Sequence, residues 1–163
     1  MRLPILILAG VLTVCAPARA RDPLGVFETW GAFRDDKPRK CFAIAEPDAR
    51  RPGGGWRPFF SVASWPERHI QGQIHIRLRK YRMPQSPVIL AIQAERFRLV
   101  AGRADAWAPD ARTDAAIIRA MRNGGWLSVI ARSETGGAFS DAYPLRGAAT
   151  AIDAALIACA RRR

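Results

Sequence analysis

The eight residues Gln73–Lys80, QIHIRLRK, decide the fold class. Ile74, Ile76 and Leu78 fall on one face of an extended chain, and His75, Arg77 and Arg79 on the other. Period-two alternation of apolar and charged residues marks a strand with one face in a core and one in water. Similar segments flank it. FFSVASW (59–65) precedes it. VILAIQA (88–94) follows as a continuous apolar run, which reads as buried on both faces. RFRLVAG (96–102) alternates again, with Phe97 and Leu99 inward and Arg96 and Arg98 outward, and ADAWA (104–108) adds a short strand.

Towards the N-terminus, VFETWGAFR (26–34) and KCFAIAE (40–46) read as two strands joined by the charged turn DDKP. DARRPGGGWRP is a loop, with two prolines, three glycines and no apolar period. Its glycines lack the strand, helix and Lys-Ser/Thr ending of a phosphate-cradling loop. After residue 108 the period changes. In PDARTDAAIIRAMRNGG, Ile117, Ile118 and Met121 sit at helical spacing; Asp110 or Thr113 caps the start and Gly124 ends it in a left-handed conformation. GWLSVIARSE (125–134) returns to strand, and GGAFSDAYPLRG supplies a turn and a short strand. In a last helix Ile152, Ala155, Leu156 and Cys159 share one stripe. About eight short strands, with two short helices at about 110–123 and 148–160, predict a mostly antiparallel β-sandwich or barrel rather than an alternating βαβ fold.

The start of the chain reads differently. Arg2, an apolar stretch from Leu3 to about Pro17, and Ala18-Arg19-Ala20 form the pattern of a secretory signal peptide cleaved after Ala20. The stretch is short for a bilayer span. An uncleaved anchor is one alternative. A lipoprotein is the other, although Val14 is bulky where a lipidation box ending at Cys15 needs a small residue. Cleavage removes residues 1–20 and leaves 21–163 as a single domain. Two cysteines remain, Cys41 and Cys159, and an even count in an exported chain predicts one disulfide. Free thiols or a metal pair are the alternatives, but no second Cys or His lies at ligand spacing near either residue.

The formal net charge is +12, and only Arg2 and Arg19 of the basic residues belong to the leader. Such an excess attracts polyanions: lipopolysaccharide phosphates, anionic headgroups or nucleic acid. Export argues against nucleic acid, and plain solubility is the simpler account. The candidate anion-binding patch comprises His75, Arg77, Arg79, Arg96 and Arg98, extended by Lys80 and Arg82, if their strands share a sheet. Charged outward positions also blunt edge pairing without any ligand. Catalysis is not expected. His69 and His75 are the only histidines, and neither G-x-S-x-G nor H-E-x-x-H occurs. Asp35-Asp36 reads as a turn, and Asp141 as a carboxylate that accepts turn N–H groups and holds Tyr143. No cofactor and no metal are expected.

The run ADAWAPDARTDAAIIRAMRNGGWLSVIARSETGGAFSDAYPLRGAATAIDAALIAC resembles the C-terminal half of the invasion-associated locus B family of alphaproteobacteria. The corresponding pieces are Asp105–Trp107, Ala120–Gly124, Ser133, Gly136–Gly147 and the final helix with Cys159. Trp30 and KCFAIAEP resemble the family's earlier segments, so the likeness covers essentially all of residues 21–163. Pro144 stands where that family has Ser, and YRMPQSP is more basic than its counterpart. The resemblance implies export through the inner membrane, an immunoglobulin-like β-sandwich and a Cys41–Cys159 pairing, with no catalytic residues to carry over. The expectation is a non-enzymatic periplasmic or envelope binding module, monomeric and without a membrane span after cleavage. Its partner is an unknown protein or an anionic envelope component, with no specific nucleic acid. A secreted or surface factor engaging another cell is the alternative, and a hydrolase with an unrecognised site the next.

Overall fold

A computed structural model describes residues 21–48 and 56–160. Residues 1–20, on which the signal-peptide reading falls, residues 49–55 and residues 161–163 lie outside the described residues. The strands are β1 (Asp22–Phe27), β2 (Trp30–Asp36), β3 (Arg39–Ala45), β4 (Phe59–Trp65), β5 (Ile70–Arg77), β6 (Val88–Ile92), β7 (Glu95–Ala101), β8 (Asp105–Trp107), β9 (Trp126–Arg132) and β10 (Ala138–Pro144). Helix α1 (Ala111–Asn123) precedes β9, and α2 (Ala148–Ala160) follows β10.

Every strand pair is antiparallel, in the order β1-β2-β3-β4-β5-β8-β7-β6-β9-β10. The ribbon passes from one layer to the other at β7. Residues 95–99 pair with β6, while Val100 and Ala101 pair with Trp107 and Ala106 of β8. The fold is therefore a sandwich-like arrangement of mostly antiparallel sheet with two helices. Layer one is β1–β5 with β8, and layer two is β6, β9 and β10 with the first part of β7. The immunoglobulin-like description applies to the facing layers. The connectivity is a five-strand meander, then the hairpin-linked β8-β7-β6 in reversed order, then β9-β10, with two non-consecutive pairings, β5 with β8 and β6 with β9.

One continuous apolar cluster fills the interior. Layer one contributes Trp30, Phe60, Val62, Ile74 and Ile76; layer two contributes Leu90, Ile92, Leu127, Val129 and Tyr143. Phe60 joins the layers, with its ring edge-on to Trp30 at 6.0 Å and to Tyr143 at 5.8 Å. Ile89 and Ala91 remain half-exposed on the outer side of β6, so the apolar run is not buried on both faces.

The helices complete the second layer. Asp110 caps α1, its carboxylate accepting the Thr113 N–H at 2.7 Å, and Gly124 ends the helix in an extended conformation (φ −93°) instead of the expected left-handed one, leading straight into β9. One turn on from Asp110, buried Asp114 accepts the Ile74 N–H at 2.8 Å. That amide lies beyond the three residues that β5 pairs with β8, so a helix side chain supplies what a strand does not. Helix α2 buries Ala148, Ala151, Ile152, Ala155 and Cys159. Gly147 (φ 83°) leads into it, and a Cβ there would lie 2.0 Å from the Phe27 carbonyl oxygen. Cys159 and Cys41 form a disulfide, Cα–Cα 5.7 Å, that ties α2 to β3.

The strand expected over 26–34 is instead the β1–β2 hairpin, turning at Glu28-Thr29 with Glu28 at φ 56°. Neither residue is the Gly or Asn that usually announces such a turn. Gln93 (φ 51°) plays the same part between β6 and β7.

The disulfide closes a loop between residues 118 apart. Loop-closure entropy sets its contribution at about 5 kcal/mol as an upper expectation. Guanidinium unfolding of Cys159→Ser, or of the reduced protein, is expected to show a loss of that order. An unchanged midpoint would show that the helix stays docked without the bond.

Candidate functional site

The structure divides the five residues of the expected cationic patch among three environments. Arg79 is the first to leave it. β5 ends at Arg77, and the chain bends at Arg79 and Lys80. The alternation that would point Arg79 outward therefore stops before reaching it. The side chain crosses to β10, where the guanidinium forms an ion pair with Asp141 and donates to the Ser140 carbonyl. Asp141 is 1% exposed. Burial pushes its carboxyl above the usual range, against the opposing pull of Arg79. Burial likewise raises the Tyr143 phenol, reinforced by the Asp141 charge. Asp141 thus answers a guanidinium rather than turn N–H groups.

This contact belongs to a set. β10 is the last strand of the order, and three successive outward carbonyls on its free edge are taken. Ser140 receives Arg79, Ala142 receives the Asp48 N–H at 2.8 Å, and Pro144 receives Trp30 Nε1 at 2.8 Å. The edge is stitched to layer one and closed to strand addition. At the other end of the order, β1 carries Pro23 and a register shift between Pro23 and Gly25.

His75 and Arg77 do lie together, on the outer face of β5. Asp105 of β8 contacts both: Oδ1 is 3.0 Å from His75 Nε2, and Oδ2 is 2.6 Å from Arg77 Nη1. The His75 ring stacks on Trp107, with centroids 5.2 Å apart and planes 4° from parallel, and meets Phe59 edge-on. Arg77 lies over Trp56. Ser61 stands directly opposite His75 in the β4–β5 pairing, so a serine, a histidine and a carboxylate are neighbours. The Ser61 hydroxyl, however, donates to the His75 backbone carbonyl at 3.1 Å, not to the ring. That geometry does not prime a nucleophile.

Further along the same face, Phe33 stacks on Phe42, and Lys40 Nζ sits 4.5 Å from the Phe42 centroid and 5.2 Å from that of Trp65. Burial lowers the Lys40 ammonium. The outer face of layer one is therefore largely covered by its own side chains.

Arg96 and Arg98 lie on the outer face of layer two, opposite Ala91 and Ile89 of β6. Both are exposed, and neither forms an ion pair among the described residues. Lys80 is exposed at the bend. Arg82 is occupied, donating to the carbonyls of Gly102, Met83, Ser86 and Ala101 and so organising the 81–87 loop. Sequence reasoning missed Asp105 and Trp107 as partners of His75. The signal was present, since DAW is a strand whose outward residues must face a neighbour.

The sequence matches no protein-family model and no curated protein. Among solved structures, the crystal structure of invasion associated protein b from Bartonella henselae superposes with a TM-score of 0.62 at 12% identity. It covers 84% of this chain and 98% of that chain. This chain has the fold of invasion associated protein b. The family resemblance drawn from the sequence and this structural likeness point to the same group. Nearly all of the Bartonella protein is matched, so the common part spans its whole fold. Among the described residues, no helix is long and apolar enough to cross a membrane.

Removing Arg79 while keeping Asp141 leaves a buried carboxylate unpaired. Arg79→Met is expected to cost about 3–5 kcal/mol near neutral pH, and Asp141→Asn less. The pH dependence has a definite sign. A carboxyl raised in the folded state contributes most to stability when protonated, and loses that contribution as pH rises through the raised value. Without Arg79 the value rises further, so the Arg79→Met defect should shrink on acidification. Urea unfolding at neutral and acid pH reads this; a defect independent of pH would contradict it.

Proposed function

We propose that the protein is a non-enzymatic, exported binding module that contacts an anionic component of the cell envelope. The observation that carries this reading is the sorting of the arginines. Arg79 is spent on Asp141 and Arg77 on Asp105, whereas Arg96 and Arg98 stand exposed on layer two without an anionic partner among the described residues. Fixed positive charge on a rigid strand is preorganised to meet phosphate or carboxylate. The leader-like start and the net charge of +12 support export and a polyanionic partner. The Ser61 hydroxyl, held on a backbone carbonyl, supports the non-enzymatic reading.

The name of the Bartonella protein favours a second reading, a secreted or surface factor that engages another cell. Cell fractionation separates the two, since an envelope module stays with the periplasm or membranes and a secreted factor reaches the medium.

Immobilised lipopolysaccharide tests the first reading. The mature protein should bind at low salt and release as ionic strength rises. The double variant Arg96→Ser, Arg98→Ser should lose most binding, and Arg77→Ser, already neutralised by Asp105, should lose little. Binding that is absent at low salt, insensitive to salt, or more dependent on Arg77 than on Arg96 and Arg98 would overturn the proposal.

A further inference from the structure

The outward residues of layer two follow from its register. They are Ile89 and Ala91 on β6, Arg96 and Arg98 on β7, Trp126, Ser128, Ile130 and Arg132 on β9, and Ala138, Ser140, Ala142 and Pro144 on β10. Rows across the strands read Ser140–Ile130–Ile89–Arg98 and Ala142–Ser128–Ala91–Arg96. No outward position carries an acid. The carboxylates around it lie at its margins: Glu95 at the start of β7 on the opposite alternation, Glu134 paired with Arg103, and Glu46 and Asp48 in a cleft past Trp126 and Pro144. Arg132 joins Arg96 and Arg98 as a third arginine without an ion pair among the described residues.

The same face carries two of the five exposed large apolar side chains of the described residues, Trp126 at 52% and Ile130 at 39%, and a third, Val100, follows where β7 crosses to pair with Trp107 of β8. Between them sit alanines and serines, which leave the middle of the face low. The outer face of layer one differs on each point. Its arginine and histidine are paired with Asp105, and Lys40 lies over its aromatics.

From this face we infer that layer two is a docking surface for an anionic phospholipid bilayer. The inference rests on the reading of an anionic envelope partner and names which one. Three features favour a bilayer. The face is broad and low, suited to a planar partner rather than a small ligand. Trp and Ile interleaved with Arg is the composition that settles at the boundary of headgroups and acyl chains, apolar parts inward and guanidinium on phosphate. A second copy of this chain is disfavoured, because arginines would meet arginines with no acid on the face to answer them.

The test is co-sedimentation of the mature protein with phosphatidylcholine vesicles, with and without phosphatidylglycerol. Binding is expected only with phosphatidylglycerol. Arg96→Ser and Arg98→Ser should each weaken partitioning by roughly fivefold. Trp126→Ser with Ile130→Ser should weaken it by about tenfold, because apolar area no longer leaves water. All four positions are outward, so unfolding midpoints should match the parent. Trp126 emission, read as the difference from Trp126→Phe, should shift to the blue on binding.

Three results would overturn the inference. Retention on lipopolysaccharide without vesicle binding removes the bilayer and leaves the functional reading standing; loss of both removes both. Vesicle binding indifferent to Trp126 and Ile130 shows adsorption by charge alone. Capture of a soluble acidic protein, abolished by the same variants while vesicles stay unbound, makes the face a protein interface.

Discussion

The ion pair between Arg79 and Asp141 is the constraint on which the arrangement of layer two depends. β10 ends the strand order, and its outward carbonyls need partners from elsewhere. Arg79, the Asp48 amide and the Trp30 indole supply them. An arginine directed this way lies between the layers and requires a counter-charge. Asp141 provides it at 1% exposure, beside Tyr143 and the Phe60–Trp30 aromatic pair. Burial opposes this charge and Arg79 restores it, so the contact specifies how the layers close more than it stabilises them. The disulfide secures the remaining free element by fixing α2 on β3.

Closure also sorts the positive charge. The basic residues are not spread evenly over a solvated shell. Arg79 goes inward, Arg77 and His75 share Asp105, Arg82 gathers four carbonyls, and Lys40 covers aromatic rings. What stays exposed on a sheet face without an ion pair among the described residues is the group on layer two, where Arg96 and Arg132 donate only to nearby backbone carbonyls. A functional reading based on net charge alone would have credited all of these side chains alike. Geometry reduces them to Arg96, Arg98 and Arg132, and sets those beside exposed Trp126 and Ile130.

Much of the fold was legible in the sequence because its elements carry strong local signals. Asp110, Gly124 and the Ile117–Met121 spacing bounded α1, and the Ile152–Cys159 stripe placed α2. QIHIRLRK alternated because one face of β5 is core. The failures share a cause. Alternation gives the side of a strand only while the strand lasts and only relative to its own sheet. Arg79 lies past the end of β5, where a bend replaces the pleat. Arg96 and Arg98 alternate correctly, but β7 carries them on the second layer, and no local pattern says which layer a hinge strand joins. The turns at Glu28 and Gln93 were hidden because neither position carries the glycine or asparagine that announces a positive φ.

The two outer faces each carry an outward tryptophan, Trp107 on layer one and Trp126 on layer two. Oxidative side-chain footprinting of the protein bound to phosphatidylglycerol vesicles compares them within one molecule. If the closed sandwich leaves layer two as the contact face, Trp126 and Ile130 should be protected, while Trp107 reacts as in the free protein. Protection of Trp107 with Trp126 unchanged would contradict the account and return the binding face to His75 and Arg77.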